Sequence, residues 1–387
     1  MTQVLGQAES TDARGWAAAA VMAATVFSVV TAEMLPVGLL TPMSADLGVS
    51  EGTTGLSLTV TGLVAAVSAP VLPRVLGLLD RRIVLVGLML LLAVANLVAA
   101  VAPGFSVLVV ARVLTGVSMG GVWLLTVGLA PRLVPARSVG PATSLIFSGI
   151  AVASVLGVPA GTYAGELAGW RWAFASLGLF ALALAGLLAL LLPPLPAAPP
   201  ARLAAVLRHR QVRRGLLLVA LLVTAHFASY TYIRPVLEEL AGAGPTLIST
   251  LLLAYGVAGV LGNFVAGAAK SVRRMLGMIS AVLAIAVLLL PHLGKTALGA
   301  LFLLVIWGFF YGGVTVTTQA WQLAAAPRAA EASSALLVGV FNAAIALGAF
   351  AGGQVVDNLG TTTVTWLTGV LALGALVVVL TNGSQRR

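Results

Sequence analysis

Two residues of this chain sit where a charge is costly and therefore informative. Glu33 lies in "VVTAEMLPVGLLTP" (29–42) and Arg112 in "ARVLTG" (111–116), each within a run that is otherwise apolar or only weakly polar. Either one, carried as a full charge in the middle of a membrane-spanning helix, costs roughly 2.5 to 3.5 kcal/mol on insertion scales. Such residues usually serve a proton relay, an ion path or the recognition of a charged group. A carboxylate beside a guanidinium stays ionised, whereas the same carboxylate separated from it in apolar surroundings takes up a proton. A group that alternates between those surroundings can exchange a proton for a cargo. A structural buried pair, or an arginine snorkelling to the nearer surface, is the plainer alternative.

The elements that must position these charges follow from composition. The 387 residues are 60% hydrophobic and 8% charged, against about 25% charged for soluble domains, so the chain is expected to be an all-α integral membrane protein. Its net charge of +10 does not point to nucleic acid, because the basic residues lie in short loops between apolar runs and not on one accessible face. With no cysteine, and with His209, His226 and His292 scattered, no metal site is expected, and no cofactor. The segment before Gly15 has no basic n-region and the apolar run after it is too long for a signal peptide, so the first helix is expected to remain.

Spanning about 30 Å of hydrocarbon takes about 20 helical residues. Twelve runs meet that length: roughly 16–40, 52–76, 83–101, 105–129, 139–163, 170–192, 215–236, 246–268, 275–290, 297–319, 333–355 and 362–380. With twelve spans both termini lie on one side, and the loops fall into two sets. The terminal set holds Arg14, Arg74, Arg81, Arg82, Arg132, Arg137, Arg202, Arg208, Arg210, Arg213, Arg214, Lys270, Arg273, Arg274, Arg328, Arg386 and Arg387. The opposite set holds only Arg171, Arg234 and Lys295, together with Asp46, Glu51, Glu166, Glu238, Glu239 and Asp357. The positive-inside rule therefore predicts cytoplasmic termini and a multi-pass protein of a bacterial cytoplasmic membrane. Glu33 is seven residues before Leu40 and Arg112 seven after Phe105, which puts both about 10 Å below the outer end at 1.5 Å per residue.

Between the sixth and seventh runs, "PPLPAAPPARLAAVLRHRQVRR" (193–214) is the longest polar interruption. It divides a six-helix unit at 16–192 from a second at 215–380, with cytoplasmic tails at 1–15 and 381–387. The units echo each other: "GLLDRR" from Gly77 recurs as "GAAKSVRR" from Gly267, and "SLIFSG" from Ser144 as "SALLVG" from Ser334, both at an offset of 190 (267 − 77 and 334 − 144). Two six-helix pseudo-repeats of this kind suit a transporter that rocks one half against the other around a midplane site. In the fifth helix Gly149, Ala153, Gly157, Gly161 and Gly165 recur every four residues and Pro159 interrupts them; Ala344, Gly348 and Gly352 repeat the pattern in the eleventh. Such a stripe is either a static packing seam or a sliding element between the halves.

Further polar or aromatic residues inside spans are His226, Tyr230, Asn263, Trp307, Tyr311 and Asn342, each either a cargo contact or a core residue. "GVSMG" (116–120) matches the nucleophile elbow G-x-S-x-G, but it lies within a helix with no histidine nearby, so Ser118 reads as a packing residue and no enzyme is expected.

The motifs resemble those of the major facilitator superfamily, and within it the twelve-helix drug:proton antiporters. "GLLDRR" resembles the loop motif G-x-x-x-D-R-x-G-R-R through Gly77, Asp80 and Arg81, followed here by Arg82, with the first spacing one residue short and the second Gly-Arg-Arg missing. "RVLTG" resembles the fourth-helix motif R-x-x-x-G, and "GVPAG" (157–161) the antiporter motif G-P-x-x-G, with a valine between glycine and proline. "AEMLPVGLLTPMSADLGVSEG", "RLVPARSV", "GELAGWRWAF", "YTYIRPV" and "DNLG" are similar to the subgroup containing the purine ribonucleoside efflux pump. The resemblance implies the major facilitator fold, a gating role for the loop, and Glu33 and Arg112 in proton coupling. It further implies proton-driven antiport of nucleoside-like or drug-like small compounds, with the proton gradient as energy source; the protein is expected to be monomeric. Sugar or other metabolite efflux, and proton-coupled uptake, remain as alternatives.

Overall fold

A chain this apolar must satisfy its backbone internally, because hydrocarbon supplies no hydrogen-bond partners, and helices do so within each segment. The computed structural model describes residues 2–126, 129–196 and 206–381; within them, side chains are described except at 2–12, 73–74, 328 and 330–332. The middle of the expected linker with Arg202, the tail with Arg386 and Arg387, and the side chains of Arg74 and Arg328 lie outside the described residues.

Among the described residues twelve helices are long and apolar enough to cross a membrane. They are α1 (Ala13–Leu47), α2 (Glu51–Leu72), α3 (Arg81–Ala100), α4 (Phe105–Thr126), α5 (Ala136–Ala168), α6 (Trp170–Leu191), α7 (Arg210–Tyr230), α8 (Pro245–Gly267), α9 (Val272–Leu293), α10 (Ala297–Ala325), α11 (Ser333–Leu359) and α12 (Thr361–Thr381). The chain is a multi-pass membrane protein. Large apolar side chains such as Leu78, Trp172, Phe264 and Leu298 stand exposed on its outside, a surface that only lipid solvates well. The span count matches the expectation, while several boundaries move. Helix α1 runs on through Pro36 and Pro42 to Leu47, and the expected seventh span is split, with a short separate helix at Ile233–Ala241.

Two apolar cores fill the bundle, one built from Ala18 to Leu195 and one from Val206 to Val379, the second also taking in Val37, Leu40, Leu58 and Val158. The repeat is visible in side-chain detail. Arg82 donates to the carbonyl of Ala189 at the end of α6, and Arg273 donates to Val379 and Leu380 at the end of α12, both at 3.1 Å. The glycine stripe of α5 packs on α1 within its own half. A Cβ at Gly149 would meet the carbonyl of Ala23 at 2.2 Å, and Cβ atoms at Gly157, Gly161 and Gly165 would meet Thr31, Leu35 and Leu39. Gly348 and Gly352 of α11 pack likewise on α7, against Thr224 and Ala228. The stripe is thus a seam inside each half and not the surface between halves.

That surface is made elsewhere on α5. Pro159 has no N–H and its ring crowds the carbonyl four residues back, and α5 widens there into a π-helical turn at Ala153–Gly157. Gly256 of α8 lies against this turn, so close that a Cβ would meet the Ser154 carbonyl at 2.2 Å. The second contact between halves is α2 along α11, and the short helix 233–241 lies on α1.

Candidate functional site

Pro36 removes the backbone donor that would serve the Ala32 carbonyl. Arg112 supplies it: Nη1 donates to Ala32 O at 2.8 Å, Nη2 to Glu33 O at 3.2 Å and Nε to Ser57 O at 3.1 Å. One buried guanidinium, 1% exposed, therefore joins α1, α2 and α4. Pro42 creates the same defect one turn and a half later. Its missing donor leaves the Gly38 carbonyl free, and Arg234 from the second half fills it, Nη1 to O at 2.7 Å.

The expected contact between carboxylate and guanidinium is corrected by this arrangement. No ion pair joins Glu33 to Arg112; the arginine donors are taken by main-chain carbonyls, one of them that of Glu33 itself. Glu33 is 4% exposed, and its Oε1 has no hydrogen-bond partner. Thr31, Ser57 and Thr59 have buried hydroxyls without partners on the same two helices, α1 and α2.

Four of the six other residues singled out in the sequence come together. The rings of Tyr311, His226 and Tyr230 stack in a column, with centroids 3.4 Å and 4.7 Å apart at 13° and 23°. Trp307 stands edge-on to the column, its Nε1–H donating to His226 Nδ1 at 3.1 Å. Tyr255 of α8, 4.8 Å from Tyr230, extends the column and was missed; the signal was available, since it is an aromatic residue in a span two turns before Asn263. The Tyr311 hydroxyl is buried without a partner. Asn342 is apart from it, buried on α11 with its amide N–H bonded to Val338 O at 2.9 Å and its Oδ1 without a partner. Asn263 is half-buried on α8 outside the aromatic group.

Five hydrogen bonds between the halves, among the described residues, cluster at one end, where α1 and α11 finish and α2 and α8 begin. Asp357 accepts from Ser50 Oγ at 2.6 Å and from Gly52 N at 3.0 Å, so the second half caps the N-terminus of α2 in trans. Thr41 donates to Glu238 at 2.7 Å, Arg234 to Gly38 O, and Thr246 to Glu166 at 3.4 Å. Arg234 and Glu238 also pair with each other at 2.9 Å.

The loop motif serves the opposite end. Asp80 Oδ1 caps α3 by accepting from Arg82 N and also accepts from Leu195 N, both at 2.8 Å. The Arg81 N–H donates to Leu195 O at 2.8 Å, its guanidinium to Gly77 O at 3.1 Å, and Arg132 donates to Pro196 O at 2.8 Å. The motif residues hold the first turn of the linker to their own half. Ser118 donates to Leu88 O at 2.7 Å, a helix-packing contact.

Twelve spans in two repeated halves, with a buried, unpartnered carboxylate in one and an aromatic column in the other, are the build of a membrane transporter. The chain belongs to the Major Facilitator Superfamily, whose family model matches residues 21–339. It is similar over its whole length to the purine ribonucleoside efflux pump NepI of Escherichia coli (strain K12), 33% identical over 395 aligned positions covering 100% of both chains. The pump of the same name from Shigella dysenteriae serotype 1 (strain Sd197) is 33% identical over 381 residues, covering 96% of this chain and 97% of that one. The fold is also that of a bacterial homolog of the human lysosomal transporter Spinster, solved in an inward-facing and occupied conformation (TM-score 0.73, 13% identity, 94% and 95% of the two chains). The human organic anion transporter MFSD10 matches at TM-score 0.70 and 16% identity over 95% and 99%. The family resemblance carried by the loop, fourth-helix and fifth-helix motifs is borne out.

Proposed function

We propose that this transporter exports nucleoside-like planar compounds across a bacterial cytoplasmic membrane by proton antiport, with both termini cytoplasmic and Glu33 as the proton-carrying group. The observation that carries the reading is the placement of Glu33. It is the carboxylate in the middle of a span, buried, with Oε1 unpartnered and the aromatic column in the other half. The names of the most similar relatives supply the cargo class. Arg112 holds the backbone carbonyls of Ala32 and Glu33; cargo near the carboxylate or a shift of α1 changes whether Glu33 keeps its proton. The units 16–192 and 215–380 rock about this point, and the cluster centred on Asp357, Arg234 and Glu238 closes the outer side. A single chain is the working unit.

The test uses acidified inside-out vesicles and a fluorescent lumenal pH probe. Adding a purine nucleoside is expected to release protons from the lumen with the wild type and not with Glu33→Gln. Undiminished coupled release in that variant sinks the assignment of Glu33. Proton entry on adding cargo would instead identify a symporter.

A further inference from the structure

We propose that Trp307 fixes His226 as a neutral, one-way hydrogen-bond donor, and that His226 reads an acceptor atom on the heteroaromatic ring of the cargo. The inference rests on the export reading above and names the part of the cargo that is recognised. An indole nitrogen can only donate. Trp307 is 1% exposed and directs its Nε1–H at His226 Nδ1, 3.1 Å away. Nδ1 must therefore present a lone pair, and the imidazole proton is on Nε2.

His226 is 2% exposed, and its Nε2 has no hydrogen-bond partner among the described residues. A donor left without a protein partner is available to a ligand. Beside it the Tyr311 hydroxyl, its ring 3.4 Å from the histidine ring, is buried and unpartnered. Glu33, in the other half, has a buried carboxylate oxygen without a partner. The set comprises two donors in a column of flat rings and one acceptor in the other half.

The matching ligand is planar, carries acceptor atoms on its ring edge and has a donor elsewhere. A purine base meets all three demands, through its ring nitrogens and exocyclic groups. A sugar lacks the flat face and the ring nitrogens, so ribose alone gains little from the stack. Duties are thereby divided between the halves: Glu33 exchanges the proton, His226 reads the base, and Trp307 acts as the positioning residue that sets which way the histidine donates.

The test measures binding of adenosine and its 1-deaza, 3-deaza and 7-deaza analogues to the purified full chain in detergent. With the wild type, at least one ring-nitrogen deletion is expected to weaken binding about tenfold, the value of one well-placed hydrogen bond. In His226→Phe, which keeps a flat ring and removes the donor, that analogue and adenosine should bind within about twofold of each other. His226→Gln returns a donor and should restore part of the difference. Trp307→Phe frees the tautomer and should shrink it, with the column kept. A deaza penalty that persists in full in both His226→Phe and Trp307→Phe, or no penalty for any analogue in the wild type, overturns the inference while leaving nucleoside export standing. Absence of any nucleoside binding to the wild type overturns both.

Discussion

Removing Arg112 and removing Pro36 should not be independent. Arg112 donates to three carbonyls, but they differ in what remains without it. Ser57 O also accepts from Thr61 Oγ1 at 2.9 Å, and Glu33 O lies four residues before Val37, whose N–H is available within the helix. Ala32 O faces Pro36 and keeps no helical donor, so it depends on Arg112 Nη1 at 2.8 Å. In Arg112→Met that carbonyl is left unsatisfied in an apolar interior, a cost of about 1–3 kcal/mol. In Pro36→Ala the new N–H serves it directly. The double mutant should therefore recover about 1–2 kcal/mol relative to the sum of the singles, a factor of roughly 5–30 in the folded-to-unfolded ratio. The assay is reversible unfolding of the four chains in mixed detergent micelles, followed by tryptophan fluorescence. Additivity within about 0.5 kcal/mol would show that Pro36 and Arg112 do not share the Ala32 carbonyl and would refute the reasoning.

Two further outcomes follow from other contacts. Asp357→Ala removes two hydrogen bonds between the halves at a solvent-facing rim, worth about 1–2 kcal/mol together, and should raise the population separated at that end roughly fivefold or more. Because the chain has no cysteine, spin labels at Ala45→Cys and Leu359→Cys report that distance without background, and an unchanged distribution counts against the trans cap. Gly262→Ala places a methyl 1.6 Å from the Phe309 carbonyl, whereas Gly87→Ala meets nothing within 4 Å. The first should cost about 1–3 kcal/mol by forcing α8 from α10 and the second almost nothing, read by the same unfolding assay.

What was legible beforehand divides by the range of the interaction that fixes it. A membrane span is set by about 20 consecutive residues meeting lipid, so α1 to α12 could be counted from composition, and the echo of "GLLDRR" marked the two stretches from which Arg82 and Arg273 reach the ends of α6 and α12. The glycine stripe of α5 marked a seam by its period, yet period alone does not name a partner, and the partner proved to be α1 of the same half. The mode of the Glu33 and Arg112 contact was hidden for a different reason. Charge complementarity suggested a pair, but a guanidinium is drawn first to whatever buried acceptor lacks a donor, and the prolines decide which carbonyls those are. Counting four residues back from Pro36 and Pro42 would have flagged Ala32 and Gly38 as orphans. Finding that Arg112 and Arg234 serve them required the tertiary fold, since the residues are 80 and 196 positions apart. The consequence for transport is specific. The carbonyl served by Arg112 has its donor within its own half, whereas the one served by Arg234 is bridged from the other half and is expected to lose its donor if the halves part at that end. Helix α1 is thus expected to hold together around Glu33 and to loosen around Pro42, so any opening of that end is expected to begin in the last turns of α1.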